Sequence, residues 1–528
     1  KNNALAAPEL PNLPDAGEAA EVVEGEVLEP AEESSGGFGE QVLQAAELIA
    51  LKEAYEPNNY IPPQDPVPPR TPREKFAANI TAIRTLKSIE KRMADGGPHA
   101  NGEEQEILAQ YSGWGGLSDA FEPNKDSWHS EYTELKSLLT EEEYAAARSS
   151  TLTAFYTPPE VIDAMYTTLR KMGVGAGTIL EPSMGAGAFF GQSHSYLYEP
   201  TTRLFGVELD SLTGRIARQL YQKANIQITG FEKADLPDSF FDVVIGNVPF
   251  GDYSVVDPQY NRLHFPIHDY FFAKSIDKLR TGGIMAFITS SGTLDKKDDR
   301  ARKYIAERCD LIGAVRLPNN AFKGSGTKIM TDVIFLQKRD TLRQQDEPWL
   351  HLAEDANGIT MNRYFVEHPE MICGRMEIVS GPYGPTSTCQ PIDPDAVDRF
   401  GKPLLETQID TAMQHLTATL TRAEIPVQEE SGEDTKYIDA DPFVRNFSYT
   451  VKDDKIYYRE GAVMRECNPN AASAERIRKL VELRDTTRAL IDAQLQDLSD
   501  EEIRRLQAQL NRQYDAFRGK HGLINSRS

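Results

Sequence analysis

Cysteine is scarce. The 528-residue chain holds four, Cys309, Cys373, Cys389 and Cys467, far apart and with no CxxC pair. That spacing argues against a zinc site or a disulfide framework and fits a reducing cytoplasm. Long apolar runs are missing as well, since no window reaches the roughly eighteen apolar residues a membrane span needs. No signal peptide and no internal repeat is visible. Positive charge is in deficit too, at a formal net charge of -24, which sits badly with phosphate binding, because phosphate contacts draw on Lys and Arg. The deficit is uneven. Residues 1–60 carry thirteen acids against two basic residues, Lys1 and Lys52, so the remainder is only mildly acidic. Two basic clusters, Arg70 to Arg92 and Lys296 to Lys303, can each be read as a backbone contact or as a solvated helix face.

At this length the chain exceeds one ordinary domain, and its 40% hydrophobic and 26% charged content suits a globular core with flanking modules. Residues 1–70 read as an acidic, Pro-rich linker or tail with few core contacts. Residues 71–150 read as a helical module, with Phe76, Ile80, Ile83 and Leu86 on one face and breaks at DGGPHANG and SGWGGL. From 151 to 340, seven Val/Ile/Leu-rich runs near 179, 204, 226, 242, 284, 311 and 332 alternate with helical segments. That alternation predicts an α/β fold with a seven-stranded doubly wound sheet and ligand sites at the carboxyl ends of its strands. Residues 341–470 read as a mixed module able to house target recognition, including a hairpin over Tyr449 to Arg459 turning at Asp453-Asp454. Residues 471–528 read as an antiparallel helical pair. The chain starts at Lys1 and stops just past that pair, which suggests a fragment of a larger polypeptide.

The sharpest glycine motif is LEPSMGAGAFFG, where a strand ends in Glu181-Pro182 and a loop of small residues opens a helix. Gly185 and Gly187 let backbone approach a ligand closely, and Phe189 follows them. The spacing departs from GxGxxG, and a carboxylate at 181 suits an ammonium group, which methionine has and NAD lacks. The next strand ends in GVELD, putting Glu208 where it can accept both hydroxyls of a ribose. Two acids at two strand ends fit a nucleoside bearing an amino acid, that is, S-adenosyl-L-methionine; taken alone the pattern also fits a structural turn. In TGFEKADL, Phe231 can flank an adenine ring and either Glu232 or Asp235 can accept from its amino group.

The strand DVVIG delivers Asn247-Val248-Pro249-Phe250 to the edge of that pocket. Here the chain resembles the amino-methyltransferases that carry Asn-Pro-Pro-Phe or Asn-Pro-Pro-Tyr. AFYTPPEVIDAMY is similar to the motif preceding the glycine loop in the gamma-order N6-adenine DNA methyltransferases. With YSGWGGL, IHDYFFAKSIDKLRTGGIMAFITSSGTLD and GTKIMTDVIFLQK, the stretch from about 105 to 340 resembles the methyltransferase part of the large methyltransferase-helicase fusions of bacterial mobile elements and phages. The resemblance implies a Rossmann-like class I methyltransferase core, S-adenosyl-L-methionine as cofactor, DNA as partner and a helicase-like region in the same parent polypeptide. It also implies that Phe155, Tyr156, Thr157 and Pro158 close over the methionine end of the cofactor. No metal is called for. No helicase motif is present, and GSGTKIMT (Gly324 to Thr331) reads as a hairpin loop.

An aromatic amine is a poor nucleophile because its lone pair is delocalised. The Asn247 side-chain oxygen and the Val248 carbonyl can bind its two hydrogens and favour a pyramidal nitrogen, while Phe250 stacks on a base extruded from the duplex. Val248 stands where the family has its first Pro. It supplies the same carbonyl with a looser φ. Alternatively, Asn247 caps the turn and Phe250 packs in the core, leaving a DNA- or partner-binding module; an RNA guanine or protein glutamine amine is a further substrate option. His268 beside Asp269 reads as a helix start, and Trp114 as either a stacking platform or core packing. Cys389, in TCQP, lies far outside a strand-end position and is not read as a nucleophile.

Overall fold

The computed structural model describes residues 56–63, 71–151, 157–198, 201–322, 329–381, 384–393, 396–399, 401–419, 437–441, 444–445, 448–460, 463–496 and 498–524. The amino-terminal module is built from α1 (Pro72–Ala94), α2 (Gly102–Leu108), α3 (His129–Leu138) and α4 (Glu141–Ser150). Capping boxes start α1 at Thr71, α2 at Asn101 and α4 at Thr140, satisfying the first-turn N–H groups that an uncapped helix leaves orphaned. The buried Asn79 amide donates to Gly113 O at 2.7 Å and accepts from Ser112 N at 2.9 Å, pinning the SGWGGL turn. Trp114 is thereby 1% exposed and edge-on to Phe121 at 5.4 Å, which decides in favour of core packing.

Four of the six cations on α1 are held in ion pairs. Arg73 pairs with Glu131, Arg84 with Glu134, Lys87 with Glu143 and Arg92 with Glu104. It is a helix face laced with ion pairs, not a bare cationic surface.

The core follows as α5 (Pro159–Lys171), β1 (Thr178–Glu181), α6 (Ala188–Ser193), β2 (Arg203–Glu208), α7 (Ser211–Leu220), β3 (Asn225–Ile228), β4 (Phe241–Asn247), α8 (Ile267–Lys278), β5 (Leu279–Ser290), α9 (Gly292–Asp295), α10 (Arg300–Ala306), β6 (Cys309–Leu317) and β7 (Thr331–Lys338). Pro159 opens α5 at its first turn, and Val161, Ile162, Met165, Tyr166 and Leu169 line its buried side at helical spacing. The seven strands lie in the order β3-β2-β1-β4-β5-β7-β6. The pairs from β3 to β5 are parallel, whereas β7 runs antiparallel between β5 and β6. All seven expected strands are present; the antiparallel insertion of β7 was not anticipated. The loop at 323–328 that joins β6 to β7 lies outside the described residues, and with it most of the expected hairpin loop. Strand order reverses between β1 and β4, so the crevice at their carboxyl ends is where a ligand belongs in such a sheet. The residues at those two ends are Glu181 and Asn247.

Residues 56–63, within the stretch read as a tail with few core contacts, pack on the core. Tyr60 N donates to Leu220 O at 2.7 Å, and Gln222 N donates to Asn58 O at 3.0 Å. Tyr60 has the apolar body such packing needs and lies against the core, which a composition average over the acidic segment hides.

Beyond the core come β8 (Leu352–Glu354), β9 (Thr360–Asn362), α11 (Arg363–Glu367), β10 (Arg375–Gly381), β11 (Gly384–Gln390) and α12 (Leu404–Gln414). This segment is docked on β6: Cys373 N donates to Arg316 O and Asn319 N to Cys389 O, both at 2.8 Å. Cys389 is fully buried there. A four-stranded antiparallel sheet holds β12 (Tyr437–Asp439), β13 (Tyr449–Lys452), β14 (Lys455–Glu460) and β15 (Val463–Cys467). The β13–β14 hairpin turns at Asp453 and Asp454, whose φ values of 50° and 62° suit a two-residue turn with both centres left-handed. The chain closes with α13 (Ala471–Leu495) packed on α14 (Asp500–His521), the expected helical pair. Among the described residues no helix is long and apolar enough to cross a membrane.

Candidate active site

The glycine loop is shaped by what its neighbours leave no room for. Gly187 has φ 89°, and a Cβ there would fall 2.3 Å from the ring of Tyr221, so only glycine fits. Gly185, at φ 54°, has open space where a side chain would be, and its N–H donates to Glu208 Oε2 at 2.8 Å. The Glu208 carboxylate also accepts from Asp210 N at 2.8 Å. The acid at the end of β2 and the loop after β1 are thus one unit. Burial raises the Glu208 carboxyl to about 7, with the Asp210 charge adding to the rise and the two N–H donors opposing it.

Glu181, at the end of β1, is 2% exposed, and its Oε2 has no hydrogen-bond partner among the described residues. Burial, then the nearby Glu208 charge, lifts its carboxyl well above the usual range. A buried, unpaired carboxyl is costly. Its chemistry suits a cationic ligand group, and the loop beside it presents backbone rather than side chains.

The turn after β4 lies against this loop. Ser183 Oγ donates to Asn247 O at 2.9 Å, and a Cβ on Gly246 would stand 3.4 Å from Glu181 Cγ. Asn247 Nδ2 donates to Thr157 Oγ1 at 3.2 Å, which orients the amide and leaves Oδ1 buried without a partner. Val248 is 1% exposed, and its N–H donates to Ile288 O at 3.0 Å on β5. That bond is one a proline could not make, so the position is held by sheet pairing where the family pattern uses a ring. Val248→Pro is therefore expected to lower stability by about 1–3 kcal/mol, the cost of orphaning the Ile288 carbonyl, as a fall in the denaturation midpoint. Pro249 and Phe250 are half-buried at the crevice.

The other expected residues fall as follows. Thr157 and Pro158 precede α5, and Thr157 reaches Asn247, a contact the sequence did not announce; Phe155 and Tyr156 lie outside the described residues. Pro182 sits beside Gly246. Phe189 is buried, and its carbonyl accepts from Tyr166 Oη at 3.0 Å. Phe231 is buried with its ring 5.0 Å from that of Phe271. The Glu232 carboxylate folds back over Gly230 at the end of β3; Asp235 is exposed, and its backbone is tied to the Gln227 amide. Ser183 and Tyr221 were missed. Ser183 was legible only as a small residue in the loop, and Tyr221 only through the contact that excludes a side chain at 187. His268, at the start of α8, accepts from Lys296 Nζ at 2.8 Å. Burial, then the Lys296 charge, lowers its imidazole to about 4.

This strand order, with β7 antiparallel and an acid at the ends of β1 and β2, defines a Rossmann-like class I methyltransferase fold. Residues 138–361 match the model of the N-6 DNA Methylase family. The chain is similar to the defense against restriction protein B of Escherichia phage P1, at 27% identity over 293 residues covering 54% of this chain and 11% of that protein. It is also 27% identical, over 236 residues, to the type I restriction enzyme EcoEI methylase subunit of Escherichia coli, covering 39% of this chain and 46% of the subunit. The chain thus spans less than half the length of either relative. A solved type I restriction-modification methyltransferase subunit from Streptococcus thermophilus aligns at 20% identity over 50% of this chain and 65% of its own, with a TM-score of 0.31.

Proposed function

We propose that the chain transfers a methyl group from S-adenosyl-L-methionine to the N6 amino group of an adenine extruded from DNA. One observation carries this reading above the rest: the Asn247 side-chain oxygen is buried and unpartnered beside the Val248 backbone, next to the loop that joins Glu181 to Glu208.

S-adenosyl-L-methionine, when bound, supplies an electrophilic methyl on a sulfonium. Glu181 meets its ammonium, and Glu208 accepts from the ribose hydroxyls alongside the backbone of Gly185 and Gly187. Glu232 is our choice over Asp235 for the adenine amino group, since its carboxylate lies at the β3 terminus. Asn247 Oδ1 and the Val248 carbonyl accept the two target N–H groups, Thr157 holds the Asn247 amide in place, and Phe250 stacks on the base. Such stacking is worth about 1–3 kcal/mol and offsets part of the cost of extrusion. Alignment and electrostatics supply the rate, with no covalent enzyme intermediate. The substrate assignment leans on the family match over residues 138–361. DNA is the partner, and a helicase-like region of the parent polypeptide belongs to the same reading.

Labelled methyl from S-adenosyl-L-methionine, offered with duplex DNA, RNA and protein, is expected to appear in DNA as N6-methyladenine. Label confined to RNA or protein would overturn the assignment.

A further inference from the structure

β4 has two neighbours in the sheet. β1 brings the glycine loop to one side of the catalytic turn, and β5 brings a short charged segment, α9 and Lys296, to the other. That segment is fixed from beneath. Asp295 pairs with the buried Arg316 at 2.9 Å and accepts from Asn362 N at 2.9 Å. Arg316 is itself clasped by Asp332 at 2.8 Å. Arg302, also buried, donates to Lys296 O at 2.8 Å and to Leu350 O at 3.0 Å. The backbone at 295–296 is therefore braced by β6, β7, α10 and the segment around 350–362.

The Lys296 side chain faces the other way in chemical terms. It is 34% exposed, and its ammonium donates to the neutral imidazole of His268 at 2.8 Å. The carboxylate within reach, Asp269 Oδ2, stands at 3.9 Å. Two nearby cations are held by carboxylates, Arg300 by Asp298 at 2.7 Å and Lys303 by Asp299 at 2.8 Å, while Lys297 is exposed. With Nε2 of His268 accepting, the ring proton lies on the buried Nδ1, which has no partner among the described residues. The same helix start is tied to the stretch after the catalytic turn, because Ile267 N donates to Tyr253 O at 2.8 Å.

We propose that Lys296 is a DNA-binding residue whose ammonium takes a backbone phosphate of the strand carrying the target adenine, beside the extruded nucleotide. This rests on the function proposed above. A chain of net charge -24 needs a cation where the strand is drawn closest, since phosphate neutralisation supplies much of the binding free energy. A cation whose hydrogen bond goes to a neutral imidazole, with its nearest carboxylate, Asp269, at 3.9 Å, gives up less on changing partner than an arginine in a tight buried pair does. The brace fixes the 295–296 backbone that carries the side chain, so less backbone freedom is lost on binding.

The test uses the full chain with duplex DNA. Binding is followed by fluorescence anisotropy across a salt series, cofactor binding by calorimetry, and turnover by methyl incorporation. Lys296→Gln is expected to weaken DNA binding by about tenfold at low salt and to reduce the slope of log affinity against log salt by about one. The loss falls on KM for DNA more than on kcat, S-adenosyl-L-methionine affinity holds, and Lys296→Arg restores the slope. A wild-type chain that methylates DNA, with an unchanged slope in Lys296→Gln or no rescue by Arg, overturns the Lys296 assignment and leaves the proposed function standing. A wild-type chain that methylates RNA or protein instead overturns both.

Discussion

Asn247→Ala is expected to lower kcat by about 100- to 1,000-fold, the range seen when one preorganised polar contact to a reacting centre is removed, while S-adenosyl-L-methionine binds nearly as before. The structure supplies the reason for the split. Asn247 meets the glycine loop through its main chain, which accepts from Ser183, and alanine keeps that bond. What alanine loses is Oδ1, the buried oxygen without a partner. Asn247→Asp keeps an acceptor there but loses the donation to Thr157, so its turnover should fall between those of wild type and alanine. Thr157→Val frees the amide to rotate and should lower kcat by a smaller factor. Single-turnover methyl incorporation and calorimetry with the cofactor separate the two effects. Equal turnover in Asn247→Ala and wild type would sink the catalytic reading; a parallel collapse of cofactor affinity would point to a disrupted fold.

The strands of the core were legible because each is a short run of Val, Ile, Leu or Phe bounded by turn residues, as in DVVIG and IMAFI. The Asp453-Asp454 turn and the helical pair were equally open to reading, since both are local. Missing were features fixed by pairing across long sequence distances. Nothing in DVIFL announces that β7 runs antiparallel between β5 and β6. Nothing local in Val248 reveals that its N–H is used by Ile288, and the looser φ expected there is countered by that bond. Thr157 sits ninety residues from the amide it holds. The basic cluster on α1 looked available for phosphate only because its carboxylates lie elsewhere in the chain, at Glu104, Glu131, Glu134 and Glu143. Phe189 and Phe231, expected near the ligand, are both buried.

Glu181→Gln should damage cofactor binding and strengthen the empty protein at once. Removing the partner of a desolvated ammonium costs about 3–5 kcal/mol, equivalent to a fall in affinity of at least about 100-fold. Without ligand the carboxyl is a liability, because burial holds its pKa well above 4.5. A native carboxyl with a raised pKa binds its proton more tightly than the unfolded chain does. Its penalty is absent below the unfolded value and grows as pH rises toward the folded one. The ligand-free variant should thus melt above wild type at pH 8, and the gap should close as pH falls toward 4.5. Glu208 sharpens the binding side, since its carboxyl lies at about 7 and the cofactor's hydroxyls favour the charged form. Binding should release a proton, and wild-type affinity should rise by about tenfold from pH 6 to pH 8 before levelling off. Glu208→Gln should bind weakly and lose the part of that rise centred near pH 7. Calorimetry in buffers of different ionisation enthalpy counts the proton directly. A flat affinity profile in wild type, or a Glu181→Gln chain that melts below it at pH 8, would show that these two acids do not form the cofactor site.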